Sequence, residues 1–194
     1  MDDDRLGPPG EITGLLTAWR GGDKEALDRL FGIVYRELKS LARRQIHWSP
    51  GAASLNTTGL VHETYLRLAD RSGASVHDRH HFMALASKAM RHVLIDRARR
   101  RRAAKRGDSA GEPLSGDGPA VEVDFLELLA VHDALERLEA ADPRLGQLVE
   151  LRYFGGLSDE EAAAVLGTST RTVRRDWQKA RAFLYGILGA EGKG

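Results

Sequence analysis

Arg171, Arg174, Arg175 and Gln178 follow one another at intervals that bring side chains to one side of an α-helix, while Val173, Trp177, Ala180 and Leu184 take the other side. The chemistry open to such a polar face is recognition of a nucleic acid. A guanidinium fork matches the acceptor edge of guanine, a carboxamide matches adenine, and Thr170 with the free N–H groups of a helix start can hold a backbone phosphate. Upstream, Ser158 and Glu161 have the spacing of a capping box, which starts a helix that runs through EEAAAVL and stops at Gly167. Ser169 is then placed to cap a second helix, and small Ala163 lets the two approach closely. Two helices joined by so short a turn, the second with a basic outer face, read as a helix-turn-helix that contacts duplex DNA. An ordinary helical hairpin with a solvated basic face would need the capping box, the glycine turn, the second cap and the segregated arginines to coincide.

The elements that must position this motif follow from composition and punctuation. The chain has 194 residues, 42% of them hydrophobic and 6% aromatic, and is dominated by good helix formers, which points to a mostly α protein with one or two small cores. Without cysteine there is no disulfide, thiol catalysis or cysteine-ligated metal. With no apolar leader segment and no run of about 20 apolar residues, a soluble, cytoplasmic protein is expected. A formal charge of +1 hides a strong asymmetry: residues 91–106 carry eight Arg or Lys against Asp96, whereas residues 107–124 carry five acids and no base. A polyanionic partner is implied.

Residues 1–10 are acidic and rich in Gly and Pro, the composition of a disordered start. Turn signals at 21–23, 49–54 and 71–81 divide the next segment into helices near 11–20, 23–47, 57–70 and 81–104. The stretch 107–124 is too polar to repay its own ordering and reads as a flexible acidic linker. Four further helices follow, near 125–140, 143–154, 158–167 and 169–188. The expected fold is all-α: two small helical domains, 11–106 and 125–189, joined by the linker 107–124, the second domain holding the helix-turn-helix. Within the first domain, Phe82, Leu85, Ala89 and Val93 form an apolar stripe, with Lys88, Arg91, His92 and Arg99 opposite. On 59–68, Val61, Tyr65 and Leu68 share an inward face and leave His62, Glu63, Leu66 and Arg67 outward.

Three passages, GLVHETYLRL (59–68), MRHVLIDRARRRR (90–102) and ELRYFGGLSDEEAAAVLGTSTRTVRRDWQKAR (150–181), stand in an order and spacing that resemble the extracytoplasmic-function (ECF) subfamily of bacterial sigma factors. The resemblance covers nearly everything from Glu11 to Leu188. It implies a protein without catalysis or cofactor of its own, which gives core RNA polymerase its promoter recognition. On this resemblance the polymerase-binding residues are His62, Glu63, Leu66 and Arg67. Contacts to the promoter −10 element fall to His80, His81, Phe82, Lys88, Arg91, His92 and Arg99. Contacts to the −35 element fall to Ser169, Thr170, Arg171, Thr172, Arg174, Arg175 and Gln178. The family captures an unpaired base with a loop that maps to 73–81, and with no Trp or Tyr at Ala84–Ala86, stacking falls to Phe82 and the histidines. His92 stands where Asn is usual. The linker could run along the polymerase's template channel. An anti-sigma factor or a Ser/Thr kinase is the implied controlling partner.

Two other readings compete. His77, Asp78, His80 and His81 could suggest a metal-dependent phosphohydrolase, but they sit on a loop flanked by Gly and Ser rather than on a rigid frame, and no metal site is expected. His62 and Glu63 also miss the spacing of a zinc-protease helix, since residue 66 is Leu. The second alternative is a regulator that binds its operator without polymerase.

Overall fold

The computed structural model describes residues 10–47, 56–70, 76–107 and 119–191, and among these the chain is all-α. Nearly all of the expected disordered start, the turn at 49–54, part of that at 71–81 and most of the acidic linker lie outside the described residues.

The first helix, α1 (Glu11–Arg20), buries Leu15, Leu16 and Trp19. Asp23 opens α2 (Lys24–Ile33) by accepting from the N–H groups of Glu25 and Ala26 at 2.9 and 3.2 Å. Where the sequence predicts one helix over 23–47 the structure has two. Gly32, Ile33 and Val34 are weak helix formers in succession, and Val34, with its side chain in the core, departs from helical geometry at φ −96° and ψ 13° before α3 (Tyr35–His47) begins. Asn56 caps α4 (Thr57–Ala69) through the Gly59 N–H at 2.7 Å.

The long α5 (Arg79–Gly107) opens on Asp78, which accepts from the His81 N–H at 2.9 Å and meets the His81 ring nitrogen at 2.9 Å with its other oxygen. The acid in the histidine cluster is thus a helix cap. Trp19 and Phe31 both meet Phe82 edge-on, at centroid distances of 6.1 and 5.7 Å, and form the aromatic centre of the N-terminal core. Buried Gln45 donates to the Ser87 carbonyl and hydroxyl at 3.0 and 2.9 Å, tying α3 to α5.

In the C-terminal half, α6 (Pro119–Ala141) takes in residues 119–124, which composition alone assigned to the linker. A proline is well tolerated in the first turn of a helix, and the helix that follows supplies the packing. Asp142 caps α7 (Pro143–Val149). The segment expected as one helix to Phe154 widens into a π turn, Glu150–Phe154, closed by the Gly155 N–H on the Glu150 carbonyl at 2.7 Å. Only glycine fits at its exit, because a Cβ on Gly155 would lie 2.5 Å from the Leu151 carbonyl oxygen. The turn buries both Leu151 and Phe154. The short α8 (Asp159–Val165) and the long α9 (Thr170–Glu191) complete the described residues.

The halves are in contact. Helix α5 packs on α3 and α4 on one side and meets α6, the π turn and α8 on the other, with Ala84 against the Leu148, Leu151 and Val165 cluster. Arg44 on α3 adds a hydrogen bond to the Gly155 carbonyl at 3.0 Å. No described helix is long and apolar enough to cross a membrane.

Candidate nucleic-acid interface

The local signals of the helix-turn-helix are all present in the structure. Ser158 Oγ accepts from the Glu161 N–H at 3.2 Å, and Glu161 returns to the Ser158 N–H at 2.8 Å. Gly167 has φ +59°, the left-handed conformation its position requires. Ser169 Oγ accepts from the Thr172 N–H at 3.2 Å, so α9 begins under a side-chain cap. Val173 and Ala180 are buried, Trp177 and Leu184 are half-buried, and Arg171, Arg174, Arg175 and Gln178 are exposed, as helical spacing predicts. Thr170 and Thr172 are half-buried beside exposed Ser169.

Two arginines of this face are steered from below. Asp159 at the start of α8 pairs with Arg174 at 2.8 Å and with Arg152 of the π turn at 2.8 Å, while Arg152 lies 4.6 Å over the Trp177 ring. Buried Asp176 pairs with Arg175 at 3.2 Å and Arg144 at 3.4 Å. Periodicity did not single out Asp176 or Asp159. They anchor the base of the cationic face, and an acid on the packed side of a basic helix was the signal for Asp176.

On α4, Val61 and Leu68 are buried, Tyr65 is half-buried, and Leu66 is 47% exposed beside exposed His62. Tyr35, Val61, His62 and Tyr65 line a shallow groove between α4 and the α2/α3 bend. Glu63 and Arg67 face α5, where they pair with Arg97 at 3.4 Å and with Asp96.

On α5 the structure separates residues that the sequence grouped. Phe82 is fully buried between Trp19 and Phe31, so it belongs to the core and does not present a stacking surface. His80 and His81 are half-buried at the helix start, with His80 3.8 Å from Glu161. Lys88, Arg91, His92 and Arg99 do share a face, but that face meets the C-terminal half. Lys88 pairs with Glu139, Arg91 with Glu150, His92 lies 3.7 Å from Glu136, and Arg99 lies 3.7 Å from Asp133. The Arg91–Glu150 pair is the only one of these that is buried on both sides, and it is incompletely satisfied: Arg91 Nε and Glu150 Oε2 have no hydrogen-bond partner. Burial pushes the Glu150 carboxyl up while Arg91 pulls it down.

His92, His132 and Glu136 offer donor atoms within 4.8 Å of one another, a spacing a transition metal could bridge. The hydrogen bonding opposes it. The Arg91 guanidinium, which can only donate, is on His132 Nδ1, so that nitrogen accepts and the ring proton sits on Nε2, leaving no lone pair for an ion. Nearby Lys88 and Arg91 add positive charge.

The same contacts make docking sensitive to acid. Burial, with Arg91, His132 and Lys88 adding repulsion and Glu136 opposing, holds His92 down from the ordinary 6.5 to about 4. Burial and Arg91 lower His132 as well. A histidine depressed by packing favours the packed form above its ordinary value and ceases to do so as pH falls. The contact between the halves is therefore expected to be intact at neutral pH and to weaken from about 6.5 downward. Thermal melts from neutral pH into that range check this, and His92→Gln should flatten the dependence.

An all-α frame carrying a capped helix-turn-helix with an exposed arginine face has the form of a DNA-binding protein. The ECF sigma factor family model matches residues 9–188, and the chain belongs to that family, whose members are factors for transcription initiation rather than enzymes. A comparison with curated proteins found no match.

Proposed function

We propose that the chain binds core RNA polymerase through α4 and directs initiation by contacting the −10 element with α5 and the −35 element with α9. The observation that carries this reading is α9: its exposed Arg171, Arg174, Arg175 and Gln178 stand over a packed apolar face and are set by a capped, glycine-turned approach. Ser169, Thr170 and Thr172 lie at the helix start, where backbone N–H groups favour phosphate. On α5 the proposed set is His80, His81, Lys88, Arg91, His92 and Arg99, without Phe82.

The proposed polymerase surface is exposed Leu66 with His62, flanked by Glu63 and Arg67. Leu66→Asp is expected to weaken association with core polymerase at least about tenfold, since a desolvated apolar contact would be replaced by a charge. Its melting temperature should not change. Sedimentation of mixtures with core polymerase reads the first effect, and equal association would remove α4 from the account.

For α9, Arg175→Ala and Arg174→Ala are expected to cost about 1–3 kcal/mol each and to relax discrimination at one base pair if they read a base. A loss uniform across sequences assigns the arginine to a phosphate instead. Competition between promoter variants in the polymerase complex separates the two. Control by an anti-sigma factor or a Ser/Thr kinase belongs to the same proposal; mass spectrometry of protein from its host would reveal phosphorylation.

A further inference from the structure

Four side chains on one face of α5 are matched by four carboxylates of the C-terminal half. Lys88 Nζ is 2.7 Å from Glu139 Oε2, His92 Nε2 is 3.7 Å from Glu136 Oε1, Arg99 is 3.7 Å from Asp133, and Arg91 pairs with Glu150. The order is antiparallel: 88, 92 and 99 on α5 meet 139, 136 and 133 on α6. Asp133, Glu136 and Glu139 recur every third residue, which sets a carboxylate about every 4.5 Å along the axis. A row of evenly spaced negative charges is what one strand of a nucleic-acid backbone presents.

We propose that the acidic face of α6, with Glu150, is an internal stand-in for DNA that covers the α5 surface, so that the free chain is closed to the −10 region while its α9 face stays open. This rests on the reading of α5 as a DNA surface given above. The make-up of the contact suits a reversible cover. Lys88, Arg99, Asp133, Glu136 and Glu139 all keep 30% or more of their side-chain surface exposed, so their pairs are weak and screened by salt. Arg91–Glu150 is dry but leaves polar atoms on both partners unsatisfied. A polyanion that brings its own phosphates can replace the carboxylates that face Lys88, Arg91 and Arg99, while His92, neutral in the closed form, is left to regain its charge when the cover parts. Most of the apolar packing lies within one half or the other, and among the described residues Ala84 of α5 is the one apolar residue of the first half packed on a cluster of the second, so parting the halves exposes little apolar surface.

The absence of native cysteine gives a clean test on the full chain. Exposed Lys24 and Lys179, one in each half, are changed to cysteine and labelled as a donor–acceptor pair. Into this background go Asp133→Asn, Glu136→Gln and Glu139→Gln together, which remove carboxylates without adding positive charge. The probes are a labelled single strand of mixed sequence and the corresponding duplex. Removing the cover should lower transfer between the dyes and tighten single-strand binding on the order of tenfold, the gain expected when the competent form rises from a tenth of the population to most of it. Circular dichroism should show unchanged helix content. Raising salt on the unsubstituted chain should open it in the same way, which gives a second reading if the triple substitution disturbs α6.

Unchanged transfer in both experiments would overturn the proposal, because the ladder would then not hold the halves together. Lower transfer with no gain in single-strand binding would also overturn it, and would place the fault in the assignment of α5 to DNA. An equal gain for duplex and single strand would mean that the cover acts on α9 instead.

Discussion

Arg91→Ala is expected to destabilise the closed form of the protein by about 3–5 kcal/mol, because it strands the Glu150 carboxylate in a site from which water is excluded. The same residue donates to His132, so one truncation removes two contacts across the halves. The double replacement Arg91→Met with Glu150→Leu should recover most of the loss, since burying a charge pair costs about as much as the pair returns and apolar side chains of similar size avoid both. Paired thermal and urea melts decide this. If the double variant is as unstable as Arg91→Ala, the pair is not an isolated buried contact.

Phe82→Ala is the second large effect, a loss of about 3–5 kcal/mol from opening a cavity among Trp19, Phe31 and the leucines around them. Phe82→Leu should keep most of the stability and all of the DNA behaviour. That pattern separates a core residue from a base-stacking one. A stacking residue would lose promoter opening in both variants while leaving the melt nearly untouched, since an exposed ring contributes little to folding. Full burial predicts the first pattern.

What could be read from sequence was what local chemistry encodes. The capping box at Ser158 and Glu161, the left-handed turn at Gly167 and the alternation of Val173, Trp177 and Ala180 with the arginines depend on neighbours a few residues away. The Val34 break was harder, because a short run of weak helix formers bends a helix only when the core draws in a side chain, and the core is a long-range fact. The helix at 119–124 was hidden for a related reason: its composition is that of a linker, and its order follows from the helix it joins.

The α5 surface shows the main limit. Its cations fall on a polar stripe, and a polar stripe is ordinarily solvent-facing. Here a second half supplies carboxylates to that stripe, and nothing within α5 reveals them. A signal was available in α6, where Asp133, Glu136 and Glu139 repeat with helical spacing, and in Glu150, a lone acid between the apolar Leu148, Val149 and Leu151. Phe82 failed in the opposite sense. An aromatic near a loop expected to hold a base invites a stacking role, but its place on the apolar stripe with Ala89 and Val93 already put it in the core.

Run-off transcription with core RNA polymerase on genomic fragments, followed by mapping of the start sites, tests the central claim most directly. The account predicts that the chain makes core polymerase initiate at a defined set of sites. Those sites should share two upstream elements, and Arg175→Ala should shift the preference at the farther one. No specific initiation, together with tight binding of the chain to duplex DNA without polymerase, would contradict it.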